Sequence, residues 1–533
     1  MKASTNQSAG SRAVGRLLAI TISWQAALLA MIVAIALAGC GGGGGGTGGG
    51  GNSATSSTTS TEEVWKLLVD SRAVALAAAA QKLDPLRFET ALGSITDGAG
   101  GQFNEASTPG VQGGLVTTYT DKTGADYNIG LVETDANGVH VTSKAGVTVC
   151  NASGNQWNSA CVVWPNGNKL VAWQDLRSGV RAHVYYQIYT SGNLPLLAAN
   201  GVEVPVPNAI NINEQVQPRV ALTSNGNVAL ALYEVGSTQQ VLTYLINSTG
   251  GYVWPETWRI VAEGDPAYDD LRIAADNGNG FAVVCQRKEN AADENSRNLI
   301  GQGFNSAGVP QMGVGPKLLS LQADGVTAAP GRQFRGDLTF DGTNFGLVFV
   351  DERSGVAVIN GLVISKAGVF QTPAEGKVIS TSAGQQDLPS IAADSGGFTI
   401  GWDNRGAGTH IATVSRRNGT LSDAANETVV ADVQVAPNVK VVASDEATAT
   451  HIIHAGIDTA NGKPDGRYQY LKPDGQKAYT GQGLQYDALD GASESNFNGV
   501  KSSAKGAFIV SMMKNAGDFS TATTVLVFRK QVQ

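Results

Sequence analysis

Leu170-Val171-Ala172-Trp173-Gln174-Asp175-Leu176-Arg177-Ser178-Gly179 reads as an apolar strand that ends on an aromatic, an acid and a glycine turn. The same run returns as Phe345-Gly346-Leu347-Val348-Phe349-Val350-Asp351-Glu352-Arg353-Ser354-Gly355. It returns again as Phe398-Thr399-Ile400-Gly401-Trp402-Asp403-Asn404-Arg405-Gly406. Leu115 to Asp121 is a further copy, and weaker ones lie at Val228 to Glu234, Phe281 to Arg287, Thr450 to His454 and Phe508 to Lys514. A second marker, a polar turn closing on glycine, falls at Gly138, Gly192, Gly250, Gly308, Gly368, Gly419 and Gly475, at intervals of 54, 58, 58, 60, 51 and 56 residues. Two separate markers that keep one period define a repeat architecture.

Within one period the chain reads as four short strands. Pro218 to Leu222, a turn at Ser224-Asn225-Gly226 and Val228 to Glu234 make one hairpin. Gln240 to Ile246, a turn at Gly250-Gly251 and Tyr252 to Val261 make the next. Repeated four-stranded antiparallel units predict an all-β fold, a β-propeller, whose radial closure spares many apolar strands a long exposed edge. A β-solenoid has shorter coils without the two-hairpin pattern, and packed sandwiches would not keep the period. Seven periods look complete, and residues 497–533 supply three strands of another. Leu86 to Ile95, ahead of the first period, is the candidate for its missing fourth strand. Eight blades over residues 84–533 are expected, with seven as the alternative.

Composition agrees with this reading. Glycine is abundant at 67 of 533 residues, charged residues make up 15%, and Gly, Ser, Thr, Asn and Asp cluster between the apolar runs. The formal net charge is -8. An acidic body excludes a non-specific nucleic-acid binder, which needs a basic surface for phosphate.

The N-terminus is of another kind. Residues 1–16 carry Lys2, Arg12 and Arg16, Leu17 to Ala38 run almost wholly apolar, and the run ends in Leu37-Ala38-Gly39-Cys40. Basic, apolar and small-residue regions in that order are the secretory pattern. Twenty-two mostly apolar residues are also long enough for an uncleaved membrane span. The four closing residues resemble the lipobox of bacterial lipoproteins. That resemblance covers the leader and implies a signal peptide over 1–39, cleavage before Cys40, a diacylglyceryl group on its thiol and acylation, such as palmitate, on its new amine. At about 0.8 kcal/mol per buried CH₂, several chains hold a protein on a membrane. Gly41, rather than an aspartate, follows the cysteine, which by the family's sorting tendency implies the outer membrane where a cell has two. Residues 40–61 are rich in Gly, Ser and Thr and read as a flexible tether.

Ser60 and Glu63 form a capping box ahead of Val64, Trp65, Leu67 and Leu68, and the Ala-rich stretch continues until Asp84-Pro85. One α-helix over 62–83 is expected. Cys150 and Cys161 flank a short polar loop and could pair in an oxidising compartment, whereas Cys285 sits in an apolar run as a buried small hydrophobe.

Little in the sequence carries chemistry. The pairs Asp175/Arg177, Asp351/Arg353 and Asp403/Arg405 recur where the second strand enters its turn. Repetition favours a structural role, because a single active site has no use for three copies. Tyr119, Trp173, Tyr233, Phe349 and Trp402 read as wedges between blades. His451 and His454 are three apart in a strand and point to opposite faces, so they cannot chelate one ion. No nucleotide motif or metal spacing occurs, and no catalytic residue, cofactor or metal ligand is assigned. Asp265, Asp269 and Asp270 with Tyr268, and Asp293 with Glu294, are the carboxylate clusters in which a glycosidase pair would be sought. Asp458, Asn461 and Asp465 have imperfect calcium-loop spacing. The expected function is a lipid-anchored, extracytoplasmic platform that binds an envelope or extracellular protein or glycan. The rival is a propeller glycoside hydrolase or lyase acting on polysaccharide.

Overall fold

The computed structural model describes residues 87–94 and 101–531, apart from 123, 137–138, 144, 206–213, 237–238, 265, 290–292, 294, 407–409, 424–425, 434–437, 445–448, 458–463, 486–492, 502–505 and 515–522. Contacts divide the chain into Met1–Thr61 and Glu62–Gln533. The leader, Cys40, the tether and the expected helix over 62–83 lie outside the described residues. Among the described residues no helix is long and apolar enough to cross a membrane.

The described part is all-β. Hydrogen bonding sorts its strands into six four-stranded antiparallel sheets and one eight-stranded sheet. The larger sheet is two four-stranded halves joined by a single parallel pair, Gly101 with Thr523. Eight four-stranded groups result. In chain order, group I spans Gly101–Cys150, II Gln156–Glu203, III Glu214–Gly264, IV Pro266–Leu318, V Gln333–Val378, VI Gln385–Val433 and VII Lys440–Gln485. Group VIII consists of Ser493–Lys501, Ala507–Lys514 and Thr523–Gln531, and its fourth strand is Arg87–Ser94 from the other end of the domain. The segment ahead of the first period therefore supplies the missing strand. First strands of successive groups pack against one another, and that of VIII packs against that of I. They line an axis, and the fourth strands lie outside. This is the arrangement of a β-propeller.

The core lies between facing sheets. Val116, Leu131, Val171 and Trp173 fill the space between I and II, and Leu170, Tyr186, Leu230 and Tyr244 the space between II and III. Trp173, Tyr233, Phe349 and Trp402 are fully buried and serve as the wedges expected from the sequence. The turn glycines have a backbone cause, since Gly250, Gly308, Gly368 and Gly475 hold φ between 76° and 90°, where a Cβ is strained. Next to Gly192 that conformation passes to Asn193, a residue that tolerates it.

One repeated device was not anticipated. First strands carry a β-bulge at Asn158, Gln217, Arg335 and Leu388, each at φ of 51° or 52°. Two residues earlier stands a buried glutamine, at 156, 215, 333 and 386. Gln215 accepts the Val184 N–H of group II at 3.1 Å, and Gln386 accepts the Ile359 N–H of group V at 2.8 Å. These two amides staple the first strands of groups III and VI to the third strands of groups II and V. Gln386→Ala orphans the buried Ile359 N–H and is expected to lower stability by about 1–3 kcal/mol, read from denaturant unfolding.

Cys150 and Cys161 do not pair. Cys150 ends the outer strand of I, with its Sγ 3.5 Å from an Asp175 carboxylate oxygen, whereas Cys161 lies in the first strand of II, with its Sγ 3.5 Å from the Ala106 carbonyl. Burial pushes both thiols up to about 12. The short loop between them in sequence turns each toward its own partner. Cys285 is fully buried, as expected.

Candidate active site at the start of group VI

The glutamine position defines a register. Gln102 pairs with Asp121, Gln156 with Asp175, Gln215 with Glu234, Gln333 with Asp351 and Gln386 with Asn404. The repeated acid of the second strand faces this glutamine and braces its turn. Asp175 accepts Trp173 Nε1 at 2.8 Å and Arg177 Nη2 at 2.6 Å, and Arg177 reaches on to the Asn200 carbonyl at 2.7 Å. Burial alone would raise the Asp175 carboxyl, but its hydrogen bonds from Arg177 and Trp173 outweigh that and hold it below the usual range. Asp351 repeats the brace, accepting Arg353 Nε at 2.6 Å and Asn360 Nδ2 at 2.9 Å. For these two pairs the structural role holds.

Asp403 is not a third copy. It stands one residue earlier in register and pairs with Asp387. A one-residue offset turns a side chain to the opposite face of its sheet. The matching cross-strand pairs elsewhere are Trp157 with Gln174, Val216 with Tyr233 and Phe334 with Val350. Group VI therefore sets two carboxylates opposite each other where groups II, III and V place apolar or neutral side chains. Like charges so placed repel. Their neighbours offset this, because Arg405 donates from Nη2 to Asp387 at 2.8 Å and from Nε to Asp403 at 2.9 Å. Arg335, the bulge residue of group V, also binds Asp387. His410 holds Asp403 through Nδ1, at 3.0 and 3.2 Å to its two oxygens.

Exposure separates support from reactive surface. The side chain of Asp403 is fully buried and that of Asp387 is 11% exposed, whereas His410 is 27%, Arg405 38% and Arg335 46% exposed. Two guanidinium groups and an imidazole thus face solvent over a carboxylate floor. With Nδ1 against Asp403, Nε2 is the ring nitrogen turned away from the carboxylate floor. Arg335 and Asp387 belong to first strands, which puts the cluster at the mouth of the axis.

The other sequence candidates are dispersed. Asp270 is buried, and it accepts the Arg335 N–H at 2.6 Å as a brace between first strands. The side chains of Asp265 and Asp269, and Glu294, lie outside the described residues, while Asp293 closes a turn on the Asn295 N–H at 2.9 Å. Asp458, Asn461 and the Asp465 side chain also lie outside them. His451 is buried against the Tyr468 hydroxyl at 2.7 Å. Among the described residues no group of three His, Cys, Asp or Glu side chains could hold a metal. A cavity of about 390 Å³ lies at group II, lined by Asp175, Arg177, Arg181, His183, Tyr185 and Glu203. There His183 Nδ1 meets Glu203 at 2.7 Å and Arg177 lies 3.8 Å over the Tyr185 ring. Glu203 is on the outermost strand, so this cavity is peripheral to the axis.

No family model and no curated protein matches the chain. Among solved structures it is similar to a PL25 ulvan lyase bound to -[GlcA(1-4)Rha3S]-, at 9% identity and a TM-score of 0.41, covering 72% of this chain and 96% of that one. It is also similar to the polysaccharide lyase Uly1, at 9% identity and a TM-score of 0.41, covering 80% of this chain and 90% of that one. A protein of unknown function from Dyadobacter fermentans is similar at 9% identity and a TM-score of 0.39, covering 85% of this chain and all of that one. Likenesses at this identity and TM-score carry no argument about chemistry, so the function rests on the residues themselves.

Proposed function

We propose that this protein is a propeller enzyme that cleaves an acidic polysaccharide by elimination at the group VI site. The observation that carries the reading is the Asp403–His410 pair beside two exposed guanidinium groups, at a cross-strand pair where two carboxylates replace the apolar or neutral partners of groups II, III and V. Elimination from a uronate needs its carboxylate neutralised and the adjacent carbon deprotonated. Arg335 and Arg405 supply the cations, and His410 Nε2 takes the proton while Asp403 stabilises the resulting imidazolium. The electron pair left on carbon forms the C=C bond, the C–O bond of the glycoside breaks, and the departing oxygen takes a proton from solvent, to which the imidazolium later returns its own. Hydrolysis is less well served, since it needs two carboxyl groups flanking the sugar and both here are buried under their cations.

The test is incubation of the full chain with polyuronates and sulfated uronic polymers, following the ultraviolet absorbance of the unsaturated product. Binding without any such absorbance would overturn the reading. It would favour the second one, a platform that holds a glycan without cleaving it. The peripheral cavity beside Arg177 supports that alternative, because it offers polar groups in a concave site away from the axis.

The eight groups are read as eight blades of one closed ring. The chain is further proposed to be exported and lipid-anchored at Cys40, with residues 41–61 as spacer. Cys40→Ser in a bacterial host is expected to abolish lipid labelling and move the protein to the soluble fraction; unchanged labelling would refute the lipobox.

A further inference from the structure

The group II turn has its own comparison within the chain. Asp175-Leu176-Arg177-Ser178-Gly179-Val180 and Asp351-Glu352-Arg353-Ser354-Gly355-Val356 are one motif. In both, the arginine holds the acid and reaches on to a carbonyl, that of Asn200 in II and of Leu321 in V. Around this shared brace the two groups differ. Opposite the acid stands His183 in II and Val358 in V. Two residues on, Tyr185 pairs with Glu203 where Asn360 pairs with Val378. The residue after the motif is Arg181 in II and Ala357 in V. Group V therefore builds the turn with no ionisable side chain at any of these four places. The fold does not require the imidazole, phenol, carboxylate and guanidinium of group II.

All four line the cavity of about 390 Å³, a volume within the roughly 300–1,000 Å³ of small-molecule sites. Its floor is neutral by pairing. Asp175 has no exposed side-chain surface and takes Arg177, which is fixed between that acid, the Asn200 carbonyl and the Tyr185 ring. On the wall, Glu203 lies 2.7 Å from His183 Nδ1 and accepts the Tyr185 hydroxyl at 3.0 Å, yet its side chain stays 44% exposed. The His183 contact holds the Glu203 carboxyl below its usual range, so it presents an ionised acceptor. The rim is the turn itself, where Ser178 Oγ donates to the Arg181 carbonyl at 2.8 Å. Among the described residues the Arg181 guanidinium has neither a hydrogen-bond nor an ion-pair partner. Glu214, beside the backbone bond from Gln215 to Ala182, makes none with it. Residues 206–213, which follow this outer strand in sequence, include no charged side chain.

One free planar cation on the rim and one ionised acceptor on the wall suit a ligand with a single negative charge and several hydroxyls. A guanidinium matches a carboxylate with two parallel N–H donors, and Glu203 accepts from hydroxyl groups. The same Glu203 repels a dianion such as a phosphate monoester. The exposed Val180 offers apolar contact to the C–H face of a sugar ring. We propose that the group II cavity is a binding site for a sugar acid, a uronate, with its carboxylate on Arg181 and its hydroxyls on Glu203. The site needs no elimination at group VI, and it rests on the glycan reading only for the source of the uronate, a free sugar or a unit of a polymer.

The experiment is titration calorimetry of the full chain with glucuronate, glucose and glucose 6-phosphate. Glucuronate is expected to give saturable heat and to bind about tenfold or more tighter than either of the others, the size of one charge-assisted pair. Arg181→Ala, which installs the group V residue, is expected to erase that preference and to leave the unfolding midpoint close to unchanged. Equal glucuronate affinity in wild type and Arg181→Ala, or no saturable heat in the wild type, would overturn the proposal. So would loss of binding in Arg335→Gln with retention in Arg181→Ala, which places the sugar at group VI. Should Arg181→Ala fail to fold, arginine modification by phenylglyoxal decides. Glucuronate should protect Arg181 in the wild type, and equal modification with and without it counts against the site. His410→Gln separates the two readings, because it should lose elimination and keep the glucuronate heat. A chain that binds glucuronate and cleaves no polymer keeps this site and loses only the elimination reading. In His410→Gln, tighter binding of an oligouronate than of glucuronate, removed by Arg181→Ala, identifies a polymer as the source; equal affinity identifies the free sugar acid.

Discussion

His410→Gln is expected to lower kcat on an acidic polysaccharide by about 10² to 10⁴, the contribution typical of a positioned general base, while substrate affinity changes little. The substitution suits the local geometry. A glutamine amide can donate to Asp403 as Nδ1 does now, so the carboxylate keeps a donor and the fold keeps its bracing. What disappears is a nitrogen that can accept a proton. Loss of kcat at constant KM marks a group that acts in the transition state alone. Arg335→Gln should show the opposite division, raising KM several-fold, because it removes an exposed cation that holds the substrate anion. A parallel fall in kcat and affinity for His410→Gln would mean that the imidazole binds substrate, and the assignment of the base would be lost.

Deletion of residues 87–94 from the full chain is expected to lower the unfolding midpoint by well over several degrees and to produce oligomers in size-exclusion chromatography. Arg87–Ser94 covers the outer edge of Thr523–Gln531, in register from Arg87 with Gln531 to Ser94 with Leu526. Without it the last group keeps three strands, and Val525, Leu526, Val527 and Phe528 sit in a strand with an open hydrogen-bonding edge. Open apolar edges recruit other strands. A synthetic peptide of residues 86–95, added in trans, should restore part of the midpoint by binding the native state alone. An unchanged midpoint without those residues would show that the N-terminal strand does not close the domain.

How far the sequence could be read differs between these features. The aromatic wedges were legible because Trp173, Phe349 and Trp402 each lie at the end of an apolar run, in strands buried along almost their whole length, and the period repeats. The closing role of Leu86 to Ile95 was legible by counting, since residues 497–533 held one strand too few. The glutamines at 156, 215, 333 and 386 were visible as letters, each near the start of a first strand. For Gln215 and Gln386 the meaning depends on Val184 and Ile359, which are 31 and 27 residues away on another sheet. The site at group VI was hidden for a sharper reason. Asp403-Asn404-Arg405 looks like the Asp-x-Arg of the other turns, and sequence spacing alone groups all three as copies.

The sequence by itself determined that this chain builds a ring of four-stranded sheets, because strand length, alternation and turn glycines are local properties repeated at one period. It also holds the lipobox-like leader ahead of that ring. Tertiary structure alone decided which acids are braces and which form a site. Group VI keeps the register that the bulge sets in the other groups, with Gln386 opposite Asn404, but its acid stands one residue earlier, so that Asp403 meets Asp387 rather than a glutamine. In a strand one residue of offset exchanges the two faces, and no local pattern records which face a neighbouring strand will supply. The same holds at the axis, where Arg272 and Asp337 are far apart in the chain and meet because the first strands of successive groups pack against each other.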